Sequence, residues 1–201
     1  MRERFKYLKL LSEYRSLNFE LLFIKEILRE GHLEFENYYR QYCLENNIDL
    51  EALNRQNQKR VDKAFSNSAS TEIEKRIVQE AKKQERDVKQ ILKKVMKELH
   101  PDTLALDDPK RPYYEEGFKK ANLASSQGKW GDFFDVVDTY EIVLGDYNEA
   151  IECLKDDIKR VGEEIKNEKS TYSWLLHECE TEDQKIDVVK RFLKHLFNWK
   201  S

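Results

Sequence analysis

Seven residues near the N-terminus are spaced alternately three and four apart: Tyr7, Leu10, Tyr14, Leu17, Leu21, Ile24 and Leu28. Only an α-helix gathers that spacing into one continuous stripe. A helix that long must cover its stripe with a partner. Tyr147, Ile151, Leu154, Ile158, Val161 and Ile165 form a second seam of matching length and period. Spacing alone leaves open whether the two seams pair within one chain or across a homodimer. Six Gly and three Pro in 201 residues leave too few turn formers for an all-β fold. No segment alternates as a strand, and no repeat of solenoid length is present. The expected fold class is all-α, with long helical or coiled-coil segments flanking a central part.

Local signals divide the chain. Gly31 is expected to end or kink the first helix. An aromatic-rich stretch, 33–44, follows. Asn46-Asn47 reads as a turn, and Asp49 as the cap of a helix carrying Leu50, Leu53 and Val61. Ser66-Asn67-Ser68-Ala69-Ser70 is the clearest linker. Thr71 and Glu74 form a capping-box pattern that opens a helix to Leu99. Pro101 disfavours helical dihedrals at His100 and stops it there. Residues 103–112 read as a loop, with Pro112 in the first turn of a helix that reaches Ser126. Another helix is predicted over Asp132–Leu144. The last starts at Thr181, with Gln184 completing a capping box, and carries Ile186, Val189, Leu193, Leu196 and Phe197. Three regions result: 1–68, 70–145 and 146–201.

Composition removes several functional classes. Net charge is −3, so the whole chain is not a general polyanion binder. No apolar run approaches the ~20 residues of a membrane span, and the N-terminus lacks the pattern of a signal peptide. Three separated cysteines, Cys43, Cys153 and Cys179, fit a reducing, cytoplasmic compartment. His177 and Cys179 stand beside acids, but no Cys-x-x-Cys or second His pair is near to complete a metal site. No phosphate loop or nucleophile elbow appears, so neither an enzyme nor a cofactor is expected. Helical spacing assigns Tyr38, Tyr39, Tyr42, Trp130, Phe133 and Phe134 to core packing rather than to a peptide groove.

The charge is unevenly spread. Residues 75–97 hold nine Lys or Arg and three acids, a local +6, which leaves −9 for the rest. At about 100° per residue, Lys82, Arg86, Lys89, Lys93 and Lys97 fall on one stripe. Val88, Leu92, Val95 and Leu99 lie roughly a third of a turn away. The basic helix leads into His100-Pro101-Asp102. Proline stiffens the backbone there, projecting His100 and Asp102 off the end of the helix. Such a pair beside a cationic stripe has the character of a docking surface.

Leu92, Val95, Met96 and Leu99 stand eight, five, four and one positions before His100, with Lys93 and Lys94 at seven and six. After the loop, Phe118 is followed by Ala121, Asn122 and Ala124 at offsets three, four and six. In this pattern residues 85–142 resemble the J domain of DnaJ-type co-chaperones, a helical hairpin closed by a His-Pro-Asp loop. An Asp-Tyr-Tyr-x-x-Leu-Gly-like opening is missing before residue 85. Ser125 replaces the family's aromatic, and Gly117 sits early in the second helix of the hairpin. The pattern is similar to divergent members with helical extensions on both sides.

The resemblance implies binding to a DnaK-type chaperone ATPase and stimulation of its ATP hydrolysis. Asp102 would meet a cation on the chaperone, and His100 and Pro101 would hold the loop. Lys93, Lys94 and Lys97, with Lys89 and Arg86, would face an acidic surface. Two other readings stand beside it. One is a helical scaffold or oligomerisation protein with a J-like fold that no longer engages a chaperone. The other is nucleic-acid binding through the basic helix, which the overall negative charge opposes.

Overall fold

The first seam folds as one long helix in the computed structural model, which describes the backbone of residues 2–65 and 88–199 and the side chains of 2–58 and 88–199. This helix, α1, covers Arg2–Glu45. It is followed by α2 (Leu50–Phe65), α3 (Lys89–Leu99), α4 (Arg111–Ser126) and α5 (Trp130–Thr139). Then come α6 (Asn148–Lys169), α7 (Tyr172–His177) and α8 (Glu182–Phe197). A single 3-10 turn, Pro101–Thr103, lies between α3 and α4. The fold is all-helical, with no strand among the described residues. None of these helices is long and apolar enough to cross a membrane. The linker 66–70, the Thr71–Glu74 box and the basic residues Lys82 and Arg86 lie outside the described residues.

Two compact units divide the described chain, with their boundary after Phe19 in α1 and after Glu163 in α6. The first unit contains the start of α1, then α3, α4, α5 and most of α6. Its core comprises Tyr7, Leu11 and Tyr14, Val95 and Leu99, Ala121 and Ala124, Phe133 and Phe134, and Ile151 and Leu154. The Tyr7 ring meets Tyr147 at 5.1 Å between centroids, so the two seams touch within one chain here. Leu11 is fully buried where the seam predicts Leu10, which is half-buried. Both lie on the inward side of the helix, and packing rather than strict period selects between them.

Helix α5 has no side-chain cap of its own, since Lys129 occupies that position. A tertiary contact supplies one. The Gly131 amide donates to Asp157 Oδ2 from α6 at 2.7 Å. Asp157 is itself buried and paired to Arg160 at 2.9 Å. A carboxylate at a helix N-terminus satisfies an orphan N–H and meets the positive end of the dipole. Tyr14 lies flat over Gly131, where a Cβ would fall 2.3 Å from the ring, and its hydroxyl donates to Asp132 at 2.6 Å. Burial, then this acceptor, raises the Tyr14 phenol well above the ordinary tyrosine value. Arg15, the next residue of α1, forks onto Asp135 and Asp138.

Helix α5 ends at Thr139, five residues before the predicted Leu144. Glu141 adopts a left-handed φ of 53°, and the Ile142 amide returns to the Val137 carbonyl at 2.9 Å. Ile142 and Leu144 therefore enter the core from a non-helical segment.

The second unit contains α1 from Glu20, α2, the end of α6, α7 and α8. Gly31 neither ends nor kinks α1, which continues fourteen residues further. The ~1 kcal/mol helix penalty of glycine is outweighed by burial of Leu28 and Phe35 on the same side. Asn47, at φ 54°, terminates the helix as the Asn-Asn turn predicts, and Asp49 caps α2 through the Ala52 amide at 2.9 Å. Phe35, Cys43, Leu176, Val188, Val189, Leu193 and Phe197 form the core, with Tyr38, Tyr39 and Tyr42 packed against it. The Thr181–Gln184 capping box opens α8 as expected. Leu196 is 43% exposed, and Val188 takes an inward position instead. Lys169 pairs with Glu20 at 2.6 Å, and Lys25 with Glu164. Both pairs are half-exposed and contribute under about 1 kcal/mol each.

Gly131→Ala should destabilise the protein by about 2 kcal/mol, because the buried Tyr14 ring has nowhere to move. Gly117→Ala meets the ring of the half-buried Tyr140 and should cost about half as much. Asp157→Ala should cost ~2 kcal/mol by leaving a buried helix-end donor unpaired. Urea unfolding of the three variants checks the order.

Candidate functional site

Helix α3 carries the basic stripe as far as it is described. Val88, Val95 and Leu99 are buried, Ile91, Leu92 and Met96 are half-buried, and Lys89, Lys93, Lys94 and Lys97 are exposed. This split of faces is the amphipathic pattern read from the spacing. Lys89, Lys93 and Lys97 form no ion pair among the described residues. Lys94 differs from them. Its ammonium donates to the Val143 carbonyl and lies 3.8 Å from Glu98. Arg86 lies outside the described residues.

At the end of α3 the backbone turns sharply. His100 has φ −63° and ψ 126°, extended as a residue before proline must be. Its carbonyl accepts the Thr103 amide at 3.0 Å and the Thr103 hydroxyl at 2.7 Å. The Asp102 amide donates to His100 Nδ1 at 3.3 Å. In the neutral ring this places the proton on Nε2. The ring rests edge-on against Phe118 of α4, with centroids 5.2 Å apart. Thus backbone, hydroxyl and aromatic contacts hold an exposed loop in one conformation.

Asp102 is the most exposed member, with its side chain 78% accessible. Its carboxylate lies 3.6 Å from His100 Nδ1 and 3.9 Å from the Arg111 guanidinium. Neither distance is that of a strong charge-assisted hydrogen bond. Arg111 is instead committed to Glu115 at 3.2 Å. The Asp102 carboxylate is consequently open to an incoming cation. Pro101 is half-buried and begins the 3-10 turn.

Helix α4 supports the loop from behind and packs on both α3 and α5. Pro112 sits at its start as expected. Gly117 has a packing role. A Cβ there would lie 2.4 Å from the Tyr140 ring, and the Tyr140 hydroxyl donates to the Tyr113 carbonyl at 2.8 Å. Burial, then Tyr113 and Glu116, pushes the Tyr140 phenol up. Lys94, Lys97, Thr103, Tyr114, Tyr140 and Ile142 line a groove on this side.

The structure therefore brings together His100, Pro101 and Asp102, with Lys97, Lys93 and Lys89 on the adjoining helix. Spacing places these three lysines and His100 within about 80° of arc. Sequence reasoning missed Thr103, Arg111 and Tyr140. An interior helical glycine was the available signal for Tyr140, since it marks a close approach by something large. The cysteines Cys43 and Cys153 are buried and Cys179 is half-buried. Burial pushes the Cys43 thiol up. No group of three or more His, Cys, Asp or Glu among the described residues is arranged to hold a metal ion. No protein-family model, curated protein or solved structure matches the chain.

The edge-on contact makes a spectroscopic prediction. Phe118→Ala should remove the ring-current shift from the His100 ring protons and broaden them as the loop gains freedom. Histidine resonances in two-dimensional NMR report both effects, and an unchanged His100 signal would count against the contact.

Proposed function

We propose that this chain is a J-like co-chaperone. It binds the ATPase of a DnaK-type chaperone and stimulates its ATP hydrolysis, performing no bond chemistry and using no cofactor itself. The observation that carries this reading is an exposed His100-Pro101-Asp102, braced by Thr103 and Phe118, at the end of a helix whose exposed Lys89, Lys93 and Lys97 form no ion pair among the described residues. A proline suffices for a structural helix stop, which has no need for a carboxylate projected into solvent with only long contacts to His100 and Arg111. The two helices joined by this loop and packed on each other support reading the unit as a J-like hairpin.

The roles follow from the chemistry of each group. Asp102 meets a cation on the chaperone ATPase, because its own contacts are long. His100 and Pro101 set the direction of that carboxylate. Lys89, Lys93 and Lys97 raise the association rate and set register against an acidic surface. Arg86 extends the same stripe in sequence. Lys94 contributes less freely, being turned toward Val143. A contact built this way is transient and weakens with salt. The odd number and wide separation of Cys43, Cys153 and Cys179 fit a cytoplasmic setting.

Single-turnover ATP hydrolysis by a DnaK-type chaperone from the same organism tests the proposal. The wild-type chain should accelerate it on the order of tenfold, a barrier change of about 1.4 kcal/mol. His100→Gln should return it to the basal rate with the helical circular dichroism unchanged. No acceleration by the wild type would overturn the co-chaperone reading in favour of a helical scaffold.

A further inference from the structure

Within the second unit, α1 buries Leu21, Ile24, Leu28 and Phe35. The side of the helix away from these residues carries another pattern. Leu22, Leu33 and Leu44 are 57%, 62% and 74% exposed. They recur every eleven residues, which is three whole helical turns, and so lie on nearly one line. Between them on the same line stand Glu26 and Arg40, whose side chains are 68% and 55% exposed and which pair along the helix with Arg29 at 3.1 Å and Glu36 at 2.8 Å, exposed contacts worth under about 1 kcal/mol each. Glu26 precedes Leu33 by seven residues, and Arg40 follows it by seven. The stripe thus reads apolar, charged, apolar, charged, apolar from either end, with the sign of the charge inverted about Leu33.

We infer that this face of α1 is a two-fold interface for a second copy of this chain, packed antiparallel with the axis at Leu33. That arrangement sets Leu22 against Leu44 of the second copy, Leu33 against Leu33, and Glu26 against Arg40. Arg29 meets Asn37. A parallel arrangement would oppose Glu26 to Glu26 and Arg40 to Arg40, and like charges in register repel. The symmetry also selects the partner. An isologous contact needs one patch complementary to itself after a two-fold rotation, and a charge inversion about a central leucine meets that requirement. Glu30 and Glu36 approach across the same axis. Arg40, 2.8 Å from Glu36 on its own helix, then lies between Glu36 and Glu26 of the second copy and is shared by both carboxylates, which moderates this opposition. The surface is distinct from the buried seam on α1 and from the His100 loop.

One helix face of about 33 Å makes a small interface. Dissociation in the tens of micromolar is therefore expected, below the stability of a standard-sized contact. Sedimentation equilibrium of the full chain, from about 1 to about 200 μM, reads it directly. The mass should rise with concentration from 24.2 kDa toward twice that value. Leu33→Lys places two like charges on the axis and should raise the dissociation constant at least ~tenfold. Arg40→Glu should do the same, and adding Glu26→Arg should restore the wild-type constant by re-forming opposite pairs. These positions are exposed, so circular dichroism should stay at wild-type values and urea midpoints should move little, the loss of the Glu36–Arg40 pair costing under about 1 kcal/mol. A chain that remains at 24.2 kDa throughout overturns the inference. So does a dimer that Leu33→Lys and Arg40→Glu leave unchanged. Either result is independent of whether the chain stimulates a chaperone.

Discussion

The first unit depends on one buried carboxylate. Helix α5 has ten residues, too few to be stable alone in water, and it lacks a local cap. Asp157 supplies the missing acceptor from α6, while Arg160 balances the charge. Phe133, Phe134, Val136 and Val137 of α5 are all buried in the unit's core. Helix α4 packs on that same helix and carries Phe118 to His100. Loop geometry is thereby tied to a capping interaction in a distant part of the chain.

Two glycines transmit this order through close packing. Tyr14 lies on Gly131, and Tyr140 lies on Gly117. Each tyrosine also donates its hydroxyl, one to Asp132 and the other to the Tyr113 carbonyl. Aromatic area and a directed hydrogen bond act together, fixing helix separation and rotation at once. The result is an exposed loop with little freedom, supported by elements that are themselves locked. Preorganisation of this kind lowers the entropy lost when a partner docks.

Features encoded within a few residues were legible beforehand. Asp49 and the Thr181–Gln184 pair cap the helices they were expected to cap, and Pro101 ends α3 at Leu99. Seam periodicity identified the inward side of α1, with Leu11 taking the place assigned to Leu10. The exposed lysines of α3 and the Pro112 helix start were legible in the same way. Gly31 and the end of α5 were misjudged for a common reason. Local propensity ranks glycine as a breaker, and Gly145 was the nearest local stop signal after Thr139, but burial of Leu28 and Phe35 and the left-handed turn at Glu141 override those signals.

By itself, the sequence determined the all-helical class, the inward side of each long seam and the order His-Pro-Asp after a basic helix. Those follow from periodicity, caps and proline, which act over one or two turns of backbone. Only the tertiary structure decided that Asp157 caps α5, that tyrosines lie on Gly117 and Gly131, and that Phe118 and Thr103 fix the His100 loop. Most of these contacts join residues far apart in the chain, and their partners are chosen by packing and by the need to satisfy buried donors. No local pattern records that choice.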